Sequence, residues 1–151
     1  MRGAALEFNA REAVSEPSGD SIAVRRAAPM PRILLIDDDA AVLGTLRTLL
    51  QKAGYETLEA ADGREGSRML DGVDLVITDL LMPEVDGVDL LGLIRKEGRK
   101  VPVIAMSGGG RVDPRSYLEV AKALGAYAAL SKPFDLDVML ATVREALASR
   151  A

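Results

Sequence analysis

The sequence predicts an α/β fold: a doubly wound open sheet of five parallel strands with helices on both faces. Three observations predict it. From Pro31 onward, short apolar runs alternate with stretches of helical period. Ile33-Leu34-Leu35-Ile36 and Leu75-Val76-Ile77-Thr78 are near-continuous apolar runs, the pattern of strands covered on both faces. The strand–helix unit recurs five times, and such units return through right-handed crossovers to build a parallel sheet.

The elements follow in order. Ile33–Ile36 is the first strand. Asp39 to Ala53 reads as a helix, with Val42, Leu46, Leu49 and Ala53 on one face. Tyr55–Ala60 is a weaker strand, and a short helix follows over Gly63–Leu70. Leu75–Thr78 is the third strand. The next helix, Val88–Glu97, groups Val88, Leu91 and Ile94. Val101–Met106 is a strand whose Pro102 sits near its start, where a missing N–H is tolerated. A helix over Pro114–Leu124 and a strand over Ala126–Leu130 come next. Leu136, Met139, Leu140, Val143 and Leu147 form the apolar stripe of the last helix, with Asp135 as its N-cap.

Residues 1–30 read differently. They show no sustained period, their charges cancel, and SEPSGDS is linker chemistry. The expectation there is a disordered tail or an over-long start before Met30, with the folded domain over 31–151.

Composition narrows the chemistry. The 151 residues are 48% hydrophobic and 28% charged, ordinary for one globular domain. No cysteine is present, which removes thiol nucleophiles and zinc-thiolate sites. No histidine is present either, which removes Ser-His pairs and imidazole ligands. With no Trp and 3% aromatics, stacking platforms for single-stranded nucleic acid are not expected. A net charge of −4 and scattered basic residues argue against nucleic acid as a partner. No apolar run approaches the ~18 residues of a membrane span, so no membrane partner is expected.

A doubly wound sheet keeps its sites at the carboxyl ends of its strands. Here those ends carry Asp37-Asp38-Asp39, Asp79, Ser107 followed by Gly108-Gly109-Gly110, and Ser131-Lys132-Pro133. Asp39 alone is a helix cap, Lys132 alone a solvated charge, and Ser107 alone a turn residue. Their coincidence on one edge is the signal. Crowded carboxylates repel one another unless compensated. Few carboxylates with room for water and a phosphoryl oxygen suit Mg²⁺. A lysine and a hydroxyl beside that ion suit phosphoryl transfer, and a facing aspartate can become an acyl phosphate.

The segments ILLIDDD (33–39), LVITDLLMPEVDG (75–87), VIAMS (103–107) and LSKPF (130–134) carry a family resemblance. From Arg32 to about Arg150 the chain resembles a stand-alone response-regulator receiver domain of the CheY-like kind. The resemblance implies the flavodoxin-like strand order 2-1-3-4-5. It implies that Asp79 is the phosphoacceptor of a two-component phosphorelay, charged by a histidine kinase or histidine phosphotransfer protein. Mg²⁺ would be held by Asp38, Asp79 and the backbone carbonyl of Leu81, with Asp37 acting through water. Lys132, after a cis bond to Pro133, would pair with a phosphoryl oxygen, and Ser107 would hydrogen-bond another. Readout would pass through the fourth helix, fifth strand and fifth helix to a downstream protein partner, in the cytoplasm. The chain would be no enzyme beyond self-catalysed phosphotransfer and dephosphorylation.

Two departures stand out. The position three residues before the lysine, usually aromatic in the family, is Ala129, with Tyr127 two residues away on the same strand face. The Ser107 to Lys132 interval is long and opens with three glycines, so ordering of that loop is expected to replace an aromatic swing. Leu81 and Gly109 occupy positions that tune dephosphorylation and carry no polar side chain, so a slow loss of phosphate is expected. Only one helix of chain follows Lys132, which predicts readout by a partner rather than by an output domain. Two rivals remain. One is a receiver-like scaffold independent of phosphate. The other is an aspartyl phosphatase of the haloacid dehalogenase type, with Asp37 as nucleophile and Asp39 as acid.

Overall fold

Five parallel strands form one sheet in the computed structural model, which describes residues 29–80, 87–108 and 114–150. The expected tail lies outside the described residues except for its last two. The elements are β1 Arg32–Ile36, α1 Ala40–Lys52, β2 Glu56–Ala60, α2 Gly63–Ser67, β3 Leu75–Asp79, α3 Gly87–Lys96, β4 Val103–Ser107, α4 Pro114–Ala123, β5 Ala128–Ser131 and α5 Leu136–Ala148. The strands are ordered β2-β1-β3-β4-β5. The fold class and this 2-1-3-4-5 order are those expected.

Successive strand side chains point to opposite faces of a sheet, and β1, β3 and β4 are apolar at both parities. Two cores result. Leu34, Ile36, Val76, Leu80, Val103 and Ala105 pack with Leu90, Leu91 and Ile94 of α3 and Ala121 of α4. Ile33, Leu35, Leu75, Ile77, Ile104 and Met106 pack with Leu43, Leu46 and Leu50 of α1 and Met139, Val143 and Ala146 of α5.

The boundaries differ from the sequence reading in several places. The second helix ends at Ser67, and Leu70 is buried in the connection beyond it. The fourth strand begins at Val103, so Pro102 lies outside it and need supply no N–H within it. The fifth runs Ala128–Ser131, later than Ala126–Leu130, which leaves Tyr127 outside it. The buried stripe of α1 is Leu43, Leu46 and Leu50, with Val42 and Leu49 at its margins. In α5, Leu136 is exposed instead of buried, and Ala146 takes an inner place.

Local chemistry fixes the ends. Asp39 Oδ1 accepts the Ala41 amide at the start of α1, and Asp135 Oδ1 accepts the amides of Asp137 and Val138 at the start of α5. Helices α3 and α4 close with paired bonds of the Schellman type. Gly98 N and Arg99 N donate to Arg95 O and Ile94 O. Gly125 N and Ala126 N donate to Lys122 O and Ala121 O. Gly98 and Gly125 have φ of 72° and 96°, a left-handed geometry that favours glycine.

Candidate functional site

The strand order reverses between β1 and β3, and ligand sites of such sheets sit at that reversal. Asp37 follows β1 directly and Asp79 ends β3. Ser107 ends β4, and Lys132 follows β5. Register does the rest: Asp79 pairs with Met106, and Ser107 with Ser131. The Lys132 amide donates to Ser107 O at 2.7 Å, which fixes the lysine's backbone beside β4. The Lys132–Pro133 bond is cis, as expected.

Four of the predicted residues come together closely. Asp37, Asp38 and Asp79 each offer a carboxylate oxygen within 4.8 Å of the others. Lys132 Nζ donates to Asp37 Oδ2 at 2.7 Å and stands 3.5 Å from Asp79 Oδ2. Asp37 is fully buried, and its Oδ1 accepts the Asp39 amide at 2.9 Å. Asp38 is exposed. Ser107 is fully buried, and its Oγ has no hydrogen-bond partner among the described residues. Asp79 Oδ1 is buried and unpartnered in the same sense. Leu81 and Gly109 lie outside the described residues, as do most of the triglycine loop and the segment 81–86.

Burial disfavours a charged carboxylate, and the Asp37 charge adds to that effect. Together they push the Asp79 pKa up to about 6, although Lys132 and the Leu80 amide pull the other way. Lys132 moves upward from its ordinary value. Its burial alone would lower it, but the bond to Asp37 and the charges of Asp79 and Asp37 outweigh that. The arrangement sets three carboxylates beside the Lys132 ammonium, with two buried polar atoms unmet among the described residues. It can receive a divalent cation and an anionic group with several oxygens.

The carboxylate donors fit Mg²⁺, which favours a few carboxylates over a full protein cage. The orphaned Asp79 Oδ1 is an observation of the kind such an ion explains. The phosphatase geometry fits less well. Both Asp37 oxygens are engaged, and Asp39 caps α1.

Two residues that shape the site escaped the sequence reading of roles. Thr78 is buried, and its hydroxyl donates to the Asp79 carbonyl at 3.0 Å. Gly87 opens α3 against the end of β3. A Cβ there would run into the Asp79 carbonyl oxygen and crowd Leu80 Cα, so only glycine fits. The D-G pair at 86–87 was the available signal for it.

The fold and the site define a class, the receiver domains of response regulators. The chain belongs to that family: its residues 33–144 match the response regulator receiver domain. Among its relatives, the DNA-binding dual master transcriptional regulator RpaA of Synechocystis is 36% identical over 122 residues, covering 78% of this chain and 49% of that protein. The transcriptional regulatory protein GlrR of Escherichia coli is 36% identical over 121 residues, covering 79% of this chain and 27% of that protein. The chain thus spans half or less of the length of these relatives. A response regulator receiver domain protein from Clostridium thermocellum superposes with a TM-score of 0.74 at 30% identity, covering 80% of this chain and 97% of that one. A CheY-like receiver domain from Methanospirillum hungatei superposes at 0.71 with 27% identity, covering 80% and 96%. The family ties the chain to two-component signalling.

Proposed function

We propose that the domain accepts a phosphoryl group from a phosphohistidine onto Asp79 and signals by contact with a protein partner. The observation that carries this is the pair of buried, unpartnered oxygens, Asp79 Oδ1 and Ser107 Oγ, beside Lys132. An Asp79 oxygen attacks phosphorus. The P–N bond to the donor histidine breaks, its electron pair returns to the imidazole, and Asp79 becomes an acyl phosphate. Lys132 offsets charge on one phosphoryl oxygen, and the Ser107 hydroxyl donates to another. Asp38 and Asp79 would hold Mg²⁺ together with the Leu81 carbonyl, and Asp37 would act through water. When bound, the ion neutralises charge on the transferring group.

The donor is a histidine kinase or a histidine phosphotransfer protein, and the setting is the cytoplasm. Among the described residues no helix is long and apolar enough to cross a membrane. We assign the output to a protein partner and not to nucleic acid, because the net charge is −4 and the basic residues are scattered along the sequence. No catalysis beyond self-phosphorylation and slow self-dephosphorylation is assigned.

Intact mass after incubation with Mg²⁺ and acetyl phosphate tests the reading. Wild type should gain one phosphoryl adduct, absent without Mg²⁺ and absent in Asp79→Asn. No adduct from acetyl phosphate or from any phosphohistidine donor would leave the phosphate-independent scaffold. An adduct that survives Asp79→Asn but vanishes in Asp37→Asn would favour the phosphatase.

A further inference from the structure

The region from α4 into β5 is thinly packed. Between residues 119 and 130, Ala121 is the one buried residue. Val120 and Tyr127 are 43% and 42% exposed, large apolar side chains on either side of the α4–β5 turn. Leu124 and Ala126 pack against the core only in part, and the Tyr127 amide donates to Val103 O at 2.8 Å, so a polar tie adds to what holds that turn.

Arg95, in the last turn of α3, reaches it. Its Nη2 donates to Gly125 O at 2.7 Å, and its Nη1 donates to Arg99 O at 3.2 Å. Both carbonyls belong to the Schellman turns that close α4 and α3. The guanidinium therefore sits at the negative ends of two helix dipoles at once. Its planar fork can serve two acceptors together, which an ammonium on a longer stem does less well. Gly125 leaves the room: a Cβ there would stand 2.8 Å from Arg95 Nε.

We propose that Arg95 is a positioning residue whose guanidinium ties the ends of α3 and α4 together and thereby sets the place of Val120 and Tyr127. Among the described residues its hydrogen bonds go to Arg99 and Gly125, away from the site. This inference rests on the receiver reading only in taking those two side chains as partner-facing.

Amide hydrogen exchange by mass spectrometry on the full chain tests it, using wild type, Arg95→Ala and Arg95→Lys. Losing a charge-assisted bond at a local opening corresponds to about tenfold faster exchange. Arg95→Ala should show that acceleration over residues 121–128, with β1 and β3 unchanged. Arg95→Lys should recover part of it, because one carbonyl remains within reach. Unchanged exchange over 121–128 in Arg95→Ala overturns the proposal. So does acceleration spread evenly over the whole sheet, or a lysine variant no better than alanine. The acetyl phosphate adduct on wild type is read separately, so a failure of the receiver reading is not mistaken for a failure of the Arg95 tie.

Discussion

Strand β3 is bracketed by two aspartates that the fold treats in opposite ways. Asp74 lies just before it, at the amino edge of the sheet. Its Oδ2 accepts the Arg32 amide at 2.8 Å, and its Oδ1 takes Arg150 Nη1 at 2.6 Å. Burial alone would raise its pKa, but the Arg32 amide and the Arg150 guanidinium outweigh that and lower it. Asp79 ends the strand, more deeply buried, with one oxygen unpartnered and its pKa raised to about 6. At the amino edge the carboxylate's hydrogen bonds are already met. At the carboxyl edge they are left for a ligand to meet. Such unmet buried groups cluster where a protein binds or reacts.

The largest expected effect comes from removing Lys132, the cation paired with Asp37 at the carboxyl edge. Lys132→Met leaves Asp37 fully buried without its 2.7 Å partner. Breaking a buried pair on one side costs about 3–5 kcal/mol, and urea unfolding at neutral pH should show a loss of that order. The Asp79 pKa should rise further, because the charge that lowers it has gone. A loss no larger than that of Arg150→Met at the other edge would erase the distinction between the two ends.

Asp79 itself should give a stability gain. Its folded pKa of about 6 lies above the unfolded value of 3.8. The folded state therefore binds this proton more tightly. The resulting stability is full below pH 3.8 and is lost as pH rises through 6. The whole span amounts to about 3 kcal/mol at 1.36 kcal/mol per pKa unit. In metal-free buffer, Asp79→Asn should unfold later than wild type at pH 7.5 and with little difference near pH 4. Added Mg²⁺ should then raise the wild-type melting temperature and leave Asp79→Asn much less affected, since a ligand of the native state stabilises it by mass action. A variant that melts earlier than wild type at pH 7.5 would contradict the pKa assignment.

The same contrast explains which features could be read from the sequence. The five strands were legible because strands buried on both faces leave near-continuous apolar runs such as Ile33–Ile36. The inner face of α1 was legible only to within one residue. Val42, Leu43, Leu46, Leu49 and Leu50 are all apolar, so composition does not decide between neighbouring stripes, and packing chose Leu43, Leu46 and Leu50. Leu136 was misplaced because apolar character does not by itself compel burial. Asp37, Asp38, Asp79, Ser107 and Lys132 could be named because each stands at a strand end. The bond between Lys132 and Asp37 could not, since it spans the two strands, β3 and β4, that lie between β1 and β5. Gly87 had only the D-G pair to mark it, and the role of Arg95 was hidden, for another reason. Each acts on a backbone carbonyl, and a carbonyl carries no residue type for a sequence to display.

The smallest expected effect lies at the amino edge and has the opposite sign. The folded pKa of Asp74 is lowered, so its contribution to stability is present above the unfolded value and is lost as pH falls through the folded one. Its side chain and that of Arg150 are 37% and 39% exposed, so solvent screens the pair and its worth is about 1 kcal/mol or less. Asp74→Asn should therefore lower the melting temperature slightly at pH 7 and converge with wild type in acid, with a smaller difference at high salt. At pH 7.5 Asp74→Asn and Asp79→Asn should then depart from wild type in opposite directions, Asp79→Asn converging as pH falls from about 6 to 3.8 and Asp74→Asn only below 3.8. A neutral-pH gain in Asp74→Asn would mean that its carboxylate, like that of Asp79, is held at a cost, and the amino edge would have to be searched for a ligand as well.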